Sequence, residues 1–279
     1  MTGWGEWLPC KNSGIRLYLF LYQKVLISAE GLLEKKMKII GVIPARYESS
    51  RFPGKPLALI KGKPMVAWVY ERASMVSEID EIYVATDDER IMDCCREHGM
   101  KCMMTSKDHR TGADRVAEVA SRTDGDIYLN IQGDEPLIDP DEIRQVIHIL
   151  DDETVEYAAL RQRIKDESEF TNPNVVKAVI DLKGNALYLT RCAAPYAFDA
   201  GLATGWHLVG LYSYRRQFLL DFLSWGQSDL EKAEKGIECN RALEHGRSLR
   251  LEETSFTTFG VDLPEQIAEV EAIMDRQGL

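Results

Sequence analysis

Between residues 37 and 150 the apolar and polar residues follow two distinct patterns. Short continuous apolar runs, typical of strands buried on both faces, are KIIGVIP, IDEIYVAT, KCMMT and DIYLNIQ. Between them lie stretches in which apolar residues recur every three or four positions, as in amphipathic helices: MVAWVYERASMV, DERIMDCCREHG, ADRVAEVASR and DPDEIRQVIHILDD. In the last of these, Asp139 is the predicted N-cap and Pro140 the first helical residue.

This alternation predicts the fold class of the first half. Strands separated by helices of about ten residues form βαβ units, and therefore a parallel sheet covered by helices on both faces. We predict a three-layer α/β/α, Rossmann-like domain. Because ligands of such sheets bind beyond the carboxyl ends of the strands, Arg46, Asp87, Asp88 and Asp134 should lie along one rim.

The second half has shorter strands and more turn signals. The stretches EYAALRQRI, VVKAVIDLKG, ALYLTR and WHLVGLYSYRR predict strands, and turns such as Lys183-Gly184 favour antiparallel pairing. Two helical patterns follow, RRQFLLDFLSW and DLEKAEKGIECNRALEHG, then a strand and the terminal helix PEQIAEVEAIMDRQ. We therefore predict one domain over 37–279 that carries a smaller antiparallel subdomain.

Residues 1–36 have a different character from the rest. The stretch GIRLYLFLYQKVLIS is apolar but contains Gln23 and Lys24, so it is too short and too polar to span a bilayer. No clean A-x-A cleavage site follows it, as a signal peptide requires. We expect 1–36 to be a nonessential extension or the result of a misassigned start, because Met37 directly precedes the first predicted strand.

Composition and charge narrow the class of partner. The chain has 279 residues, 45% of them apolar and 28% charged, as in ordinary water-soluble globular proteins. Its formal net charge of −11 argues against nucleic-acid and anionic-membrane partners, which need extended positive fields. The six cysteines form no C-x-x-C pair and no zinc-type spacing, which favours reduced thiols and a cytoplasmic location.

The segment GVIPARYESSRFPGKPL, residues 41–57, concentrates positive charge on a stiffened loop after the first strand. Its cations and the small residues beside them are Arg46, Arg51, Lys55, Ser49, Ser50 and Gly54. Such groups, with exposed backbone amides, suit phosphate oxygens. The loop lacks the glycines of a Walker A motif and of the G-x-G-x-x-G fingerprint, which excludes a P-loop or NAD-binding protein. It predicts a site for a small polyanion, and a solvated basic loop is the alternative.

Two aspartates follow predicted strands elsewhere in the chain. NIQGDEPLI delivers Asp134 to the rim beside Gly133, and FGVDLPEQ repeats the arrangement with Asp262 before the last helix. A carboxylate at a strand end is a typical Mg²⁺ ligand when phosphates supply the remaining oxygens. Each aspartate alone is equally typical of a helix cap or a turn, but together with the basic loop they indicate a metal-nucleotide site.

At this point the motifs resemble those of a known family. IPARYESSRFPGKPL, VATDD, NIQGDEP, PNVVKAV, ALYLTR, LYSYRR and GVDLPE occur in the order found in CMP-Kdo synthetases, the 3-deoxy-manno-octulosonate cytidylyltransferases. The resemblance covers 38–279. It implies a nucleotide-diphospho-sugar-transferase-like sheet, with the basic loop clamping the triphosphate of CTP.

The resemblance also implies an activity. Family members join CTP to the acidic eight-carbon sugar Kdo, releasing pyrophosphate, for lipopolysaccharide or capsule assembly. They are cytoplasmic, Mg²⁺-dependent homodimers. CTP and an acidic sugar are therefore the expected partners, and neither a nucleic acid nor a membrane is expected.

Individual roles follow from the matched motifs. The positions that match nucleotide-binding residues are Arg46, Ser49, Ser50, Lys55, Arg110 and Arg115. Those that match acceptor-sugar residues are Arg191, His207, Tyr212 and Glu238. The resemblance assigns catalysis to Arg46, Lys55, Asp134 and Asp262, and the metal to Asp134 and Asp262.

This chain departs from the family pattern on the acceptor side. Leu208 stands where the family has a histidine, with His207 one position early, and Cys239 replaces a glutamine. The segment HRTGADR, residues 109–115, resembles the family's second nucleotide loop, and its Ala113 replaces a hydroxyl-bearing residue. A one-residue slip reverses the face of a strand residue unless a bulge absorbs it. Two alternatives therefore stay open: a cytidylyltransferase for a different ulosonic or other acidic sugar, and a nucleotide-binding protein without turnover.

A chain that begins at Met37 should fold and catalyse like the full chain, because no predicted strand or chemical motif precedes Ile39. Circular dichroism, thermal unfolding and a CTP-dependent activity assay on both chains check this expectation. Loss of solubility or activity after truncation would show that 1–36 contributes to the folded body.

Overall fold

The computed structural model describes residues 36–49, 51–196, 205–257 and 259–279. The strands in these ranges are β1 (Ile39–Ala45), β2 (Leu59–Ile60), β3 (Lys63–Pro64), β4 (Glu81–Thr86), β5 (Cys102–Met104), β6 (Ile127–Asn130), β7 (Tyr157–Arg163), β8 (Lys177–Ile180), β9 (Ala186–Thr190), β10 (Trp206–Arg215) and β11 (Arg250–Glu253). The α-helices are α1 (Met65–Ser74), α2 (Glu89–Glu97), α3 (Gly112–Arg122), α4 (Pro140–His148), α5 (Glu167–Thr171), α6 (Arg216–Ser224), α7 (Asp229–Ala233), α8 (Cys239–Glu244) and α9 (Gln266–Gln277).

The main sheet of the described residues has the strand order β11-β7-β10-β6-β1-β4-β5. β1 lies between β4 and β6 and is parallel to both, with Ile40 opposite Glu81 and Tyr128. Because β1 is buried on both faces, it reads as the continuous apolar run IIGVIPA. The carboxyl ends of β1, β4 and β6 therefore meet at one rim.

Helices cover both faces of this sheet. On one face α3 packs against α6 and against β1 and β6, with Val116 and Phe218 in the core. On the other, α1 packs on β1 and β4, and α4 packs on β7 and β10. The prediction of a three-layer α/β/α fold is confirmed. Asp139 caps α4 as predicted, since its side chain accepts a hydrogen bond from the backbone N–H of Asp141.

The antiparallel part is smaller than the turn signals of the second half suggested. β10 runs antiparallel to both β6 and β7, so β7 and the adjacent β11 keep the direction of the parallel strands. At the Trp206 end, β10 also pairs with β8, and β8 pairs with β9. This β8–β9 hairpin is the predicted antiparallel subdomain.

The long helical pattern DLEKAEKGIECNRALEHG is interrupted in the structure. α7 ends at Ala233, and Lys235 and Gly236 both adopt left-handed backbone conformations, with φ of 49° and 82°. Two such residues in succession cannot continue a right-handed helix. The break turns Glu238 and Cys239 toward the sheet. The helix α5 and the short β2–β3 hairpin were not predicted.

Arg241 of α8 ties this interrupted region to the start of α3. It is 4% exposed, and its Nε and Nη2 donate to the two carboxylate oxygens of Glu231, each at 2.8 Å. Its Nη1 donates to Asp114 Oδ1 at 2.8 Å. Asp114 in turn forms a capping box with Thr111 at the N-terminus of α3. The guanidinium also lies over the Phe222 ring, 4.2 Å from its centroid.

Arg241→Leu should lower the free energy of unfolding by roughly 3–5 kcal/mol, because it leaves two buried carboxylates without their cation. Urea unfolding followed by circular dichroism measures the change. Arg276→Leu, at an exposed position of α9, is the matched control and should change stability by less than about 0.5 kcal/mol. Similar stabilities for the two variants would contradict a structural role for the Arg241 cluster.

No helix in the described ranges is long and apolar enough to cross a membrane.

Candidate active site

The ammonium group of Lys55 lies between the carboxylates of Asp134 and Asp262. Its Nζ donates to Asp134 Oδ2 at 2.5 Å and to Asp262 Oδ1 at 3.5 Å. Arg51 adds a second cation, with Nη2 3.0 Å from Asp262 Oδ1. These contacts bring together three residues that the sequence pattern assigned to catalysis, from three distant parts of the chain.

Local backbone geometry sets the position of Lys55. Gly54 has φ of 73°, a left-handed conformation, and a Cβ there would lie 3.2 Å from the Tyr47 ring. The backbone N–H of Gly54 donates to the Tyr47 carbonyl at 2.8 Å, closing the loop before a single 3₁₀ turn over Lys55–Leu57. The cation therefore starts from a defined backbone position on an otherwise long loop.

Asp134 and Asp262 are positioned by close backbone contacts. A Cβ at Gly133 would lie 2.8 Å from the Pro44 carbonyl oxygen, so only glycine lets the β6 loop approach the end of β1 this closely. The backbone N–H of Val261 donates to the Asp134 carbonyl at 2.9 Å. The Gln266 side chain accepts from the backbone N–H of Asp262 at 2.7 Å. These contacts hold both carboxylates next to the Lys55 ammonium group.

This pair fits a divalent cation. Carboxylate oxygens are the ligands that Mg²⁺ prefers, and Mg²⁺ commonly takes one or two of them together with water and substrate phosphates. The Lys55 ammonium already provides one positive charge between the two carboxylates. In the described ranges no group of three or more His, Cys, Asp or Glu side chains forms an all-protein metal site. Asp134 and Asp262 would therefore hold a metal only with help from a bound ligand.

Arg46 directly follows β1 and contacts the segment before α3. Its Nη2 donates to the carbonyl oxygens of His109 and Thr111, the latter at 3.3 Å. Burial, and then the nearby charge of Arg115, lower the pKa of Arg46. Since the usual pKa of arginine is far above neutral, the group stays charged at neutral pH. It lies between the basic loop and the start of α3.

Two further predicted nucleotide-binding residues, Arg110 and Ser49, form hydrogen bonds within the protein. Arg110 is exposed and donates to Gln227 Oε1 at 2.8 Å. Ser49 Oγ accepts from the backbone N–H of Phe52 at 3.3 Å. Ser50 lies outside the described residues.

Arg115 is enclosed by the protein. Its side chain is fully buried, donates to Thr105 Oγ1 and pairs with Asp87 Oδ2 at 3.0 Å. These contacts connect the start of α3 to the end of β4, and the assignment of Arg115 to nucleotide binding stays a prediction. The motif match alone could not reveal this enclosure, because burial of a helix residue depends on what packs against the helix.

A cavity of about 240 Å³ opens between β10, the start of α3 and the break before α8. Its polar and apolar walls include Gln132, Arg191, Leu208, Tyr212, Glu238 and Cys239. Three predicted acceptor residues, Arg191, Tyr212 and Glu238, thus line one cavity. Gln132 also lines this cavity and was not predicted. Its position two residues before Asp134, in the motif NIQGDEP, was the signal that could have identified it.

His207 is not among the residues that line this cavity. Leu208 and Tyr212 line the cavity, whereas the neighbouring His207 points to the other face of β10, with Nδ1 3.4 Å from Glu169 Oε1. A bulge does interrupt the pairing of β10 with β7, between Val209 and Tyr212, but it lies beyond His207 and does not exchange the faces. Leu208 thus lines the cavity where His207 was expected, and the assignment of His207 to the acceptor site stays a prediction.

Glu238 is a carboxyl group with altered acidity inside the cavity. Burial raises the pKa of Glu238 to about 7, although the Thr111 hydroxyl and the Ala113 backbone N–H both donate to it. Burial likewise raises the pKa of the adjacent Cys239 thiol to about 12, so this group stays protonated. The Tyr157 hydroxyl donates to Cys239 Sγ at 3.0 Å. The cavity thus presents one group that titrates near neutral pH.

The fold and the site together define a class of protein. The family model described as cytidylyltransferase matches residues 40–253. The chain is therefore a nucleotidyltransferase with the α/β sheet of the cytidylyltransferases. A 4-diphosphocytidyl-2C-methyl-D-erythritol synthase from Anaerococcus prevotii, 15% identical with a TM-score of 0.59, shares the fold alone.

Closer relatives define the family. A 3-deoxy-manno-octulosonate cytidylyltransferase from Pelobacter propionicus is 46% identical over 245 residues, covering 84% of this chain and 96% of the relative. Its counterpart from Geobacter metallireducens is 47% identical over 246 residues, covering 84% and 96%. A solved CMP:2-keto-3-deoxy-manno-octonic acid synthetase complexed with CTP is 40% identical, with a TM-score of 0.81 over 86% of this chain and 99% of the other.

The chain belongs to the 3-deoxy-manno-octulosonate cytidylyltransferase family. The resemblance read from the motifs is confirmed.

Glu238→Gln should flatten the pH dependence of stability. With a pKa raised in the folded state, the folded protein binds this proton more tightly than the unfolded chain, so the free energy of unfolding falls as pH rises from about 4.5 to about 7. Removing the titrating group should reduce that fall by roughly 3 kcal/mol. Urea unfolding at several pH values measures it.

Two controls sharpen this experiment. Glu142 also has a pKa raised to about 7 by burial, so Glu142→Gln should remove its own share in the same window. Glu244→Gln, at an exposed position of α8, should leave the profile unchanged. A Glu238→Gln profile that overlays the original would show that Glu238 ionises normally.

Proposed function

We propose that this protein transfers CMP from CTP to 3-deoxy-D-manno-octulosonate (Kdo), releasing pyrophosphate, for lipopolysaccharide or capsule biosynthesis. The observation that carries the proposal is the Lys55–Asp134–Asp262 cluster at the carboxyl end of the sheet, next to a cavity lined by Arg191 and Glu238. The names of the relatives and the CTP complex of the similar structure support the choice of nucleotide and acceptor.

The reaction is an in-line displacement at phosphorus. The anomeric hydroxyl oxygen of the sugar forms a bond to the α-phosphorus of CTP, the bond from that phosphorus to the bridging oxygen breaks, and pyrophosphate leaves with the bonding electrons. The hydroxyl proton is lost to solvent or a nearby base. In such reactions the protein mainly positions the groups and neutralises charge.

The residues divide this work by position. Lys55 and Arg46 neutralise the triphosphate, and Asp134 and Asp262 would hold Mg²⁺. The bound ion would stabilise the charge on the phosphates and lower the pKa of the attacking hydroxyl. Arg191 pairs with the acceptor carboxylate, and its backbone carbonyl is held by Lys177 Nζ at 2.8 Å. Glu238 and Gln132 offer hydrogen-bonding groups to the sugar hydroxyls.

We also propose a cytoplasmic homodimer. Leu182 and Leu187 of the β8–β9 hairpin are 108% and 62% exposed, which is unusual for leucines of a monomer when they lie on one element. A second copy is the partner we expect to cover them. The use of CTP as substrate and free thiols such as Cys94, Cys95 and Cys192 support the cytoplasmic location.

A different acidic sugar is the second candidate acceptor. Leu208 and Cys239 line the cavity, and neither offers the hydrogen bonds of a histidine or a carboxamide. A cavity with fewer such partners favours an acceptor with fewer hydroxyl groups or a less polar substituent at that position. A related deoxy- or amino-substituted ulosonic acid is therefore the alternative substrate.

Incubation with CTP, Mg²⁺ and a panel of acidic sugars, followed by mass spectrometry of the products, tests the proposal. The expected product is CMP-Kdo. Asp134→Asn and Asp262→Asn should each reduce turnover roughly a hundredfold without unfolding the protein, because each removes a charge from the metal-phosphate site. Asp275→Asn, an exposed carboxylate of α9 paired with Lys61, is the matched control and should keep full activity.

The outcomes separate the candidates. A CMP conjugate of another acid, with little from Kdo, would identify the alternative acceptor. Binding of CTP without any product across the panel would favour a nucleotide-binding protein without turnover. Full activity in Asp134→Asn or Asp262→Asn would remove that residue from the metal site.

A further inference from the structure

We propose that Lys55 competes with the divalent metal for the carboxylates of Asp134 and Asp262, so that metal and triphosphate binding are coupled through an exchange of ion-pair partners. The proposal rests on the proposed function in taking these carboxylates as the metal ligands and Lys55 as a triphosphate ligand. It adds a second role for Lys55, as a cation that restrains metal binding until a triphosphate draws it away.

The Lys55 ammonium group contacts both carboxylates that would hold the metal. Its Nζ lies 2.5 Å from Asp134 Oδ2 and 3.5 Å from Asp262 Oδ1. Arg51 Nη2 lies 3.0 Å from that same Asp262 oxygen. A metal ion entering this site must therefore displace the ammonium group or share the oxygens with it against charge repulsion.

Burial makes the Lys55 contact stronger than that of Arg51. The side chain of Lys55 is 16% exposed and that of Asp134 is 32% exposed, whereas Arg51 and Asp262 are 57% and 47% exposed. Ion pairs screened by water contribute little, and partly enclosed pairs contribute more. Lys55 should thus be the main competitor of the metal and Arg51 a minor one.

A triphosphate resolves the competition. Its oxygens give the Lys55 ammonium a new anionic partner, so the lysine can leave the carboxylates without becoming an unpaired, partly buried charge. The carboxylates then become available to the metal. By linkage, the factor by which CTP changes the affinity for the metal equals the factor by which the metal changes the affinity for CTP. Direct contact between metal and phosphate also couples their binding. The measurement that distinguishes competition by Lys55 from this direct coupling is therefore the metal affinity in the absence of nucleotide.

The test measures Mn²⁺ binding to the full chain in the absence of nucleotide, by electron paramagnetic resonance of free Mn²⁺ and by calorimetry. Lys55→Met keeps most of the unbranched side chain and removes its charge, so it should tighten Mn²⁺ binding about fivefold or more. Arg51→Met should tighten it less. Lys61→Met removes a lysine that pairs with Asp275 and should leave the affinity unchanged.

Two further measurements test whether the change in Mn²⁺ affinity arises at the Lys55–Asp134–Asp262 cluster. Asp134→Asn should abolish this Mn²⁺ site, in the parent chain and in combination with Lys55→Met, which assigns the measured ion to the cluster. In Lys55→Met the enhancement of Mn²⁺ binding by CTP should shrink, because part of the exchange is lost.

Unchanged or weaker Mn²⁺ binding in a folded Lys55→Met protein would overturn the inference. If the parent chain still makes CMP-Kdo in that case, the proposed function stands and only the competition is wrong. If the parent chain makes no CMP-sugar while Lys55→Met tightens Mn²⁺ binding, the competition stands and the proposed function falls.

Discussion

The site depends on one ammonium group held between two carboxylates that lie far away along the chain. Lys55 is 79 residues from Asp134 and 207 residues from Asp262. The parallel pairing of β1 with β6 brings the first two together, and a small core of Ile60, Met65, Val261, Val270 and Met274 packs the last helix beside them. The contact therefore depends on the topology of the sheet and on the packing of the last helix, and not on any single segment.

The clustering of Lys55, Asp134 and Asp262 was largely predictable from the sequence. A buried strand run, a cation-rich loop and two aspartates at strand ends are local signals, and the rule for parallel sheets brings them to one rim. The burial of Arg115 was not predictable from its motif, because it depends on Asp87 and Thr105, which lie elsewhere in the sequence. Whether an arginine faces a ligand or the protein interior is decided by packing and not by its motif.

The acceptor side was less predictable, for physical reasons that are specific to two segments. Helical periodicity continued through DLEKAEKGIECNRALEHG, but Lys235 and Gly236 turn the chain with positive φ and so bring Glu238 into the cavity. Strand alternation places Leu208 in the cavity wall and His207 on the opposite face. Arg241 then connects this half to Asp114 beside the nucleotide loop, so the two half-sites share one buried network.

The most direct test of the central claim is a double-mutant cycle between Lys55 and Asp134. It compares kcat/KM for CTP in the parent chain, Lys55→Met, Asp134→Asn and the combined variant. If ammonium and carboxylate act as one unit, the combined variant should lose no more than the worse single variant, so that the effects are strongly non-additive. Losses that multiply would show that the two groups act independently, and would contradict the account.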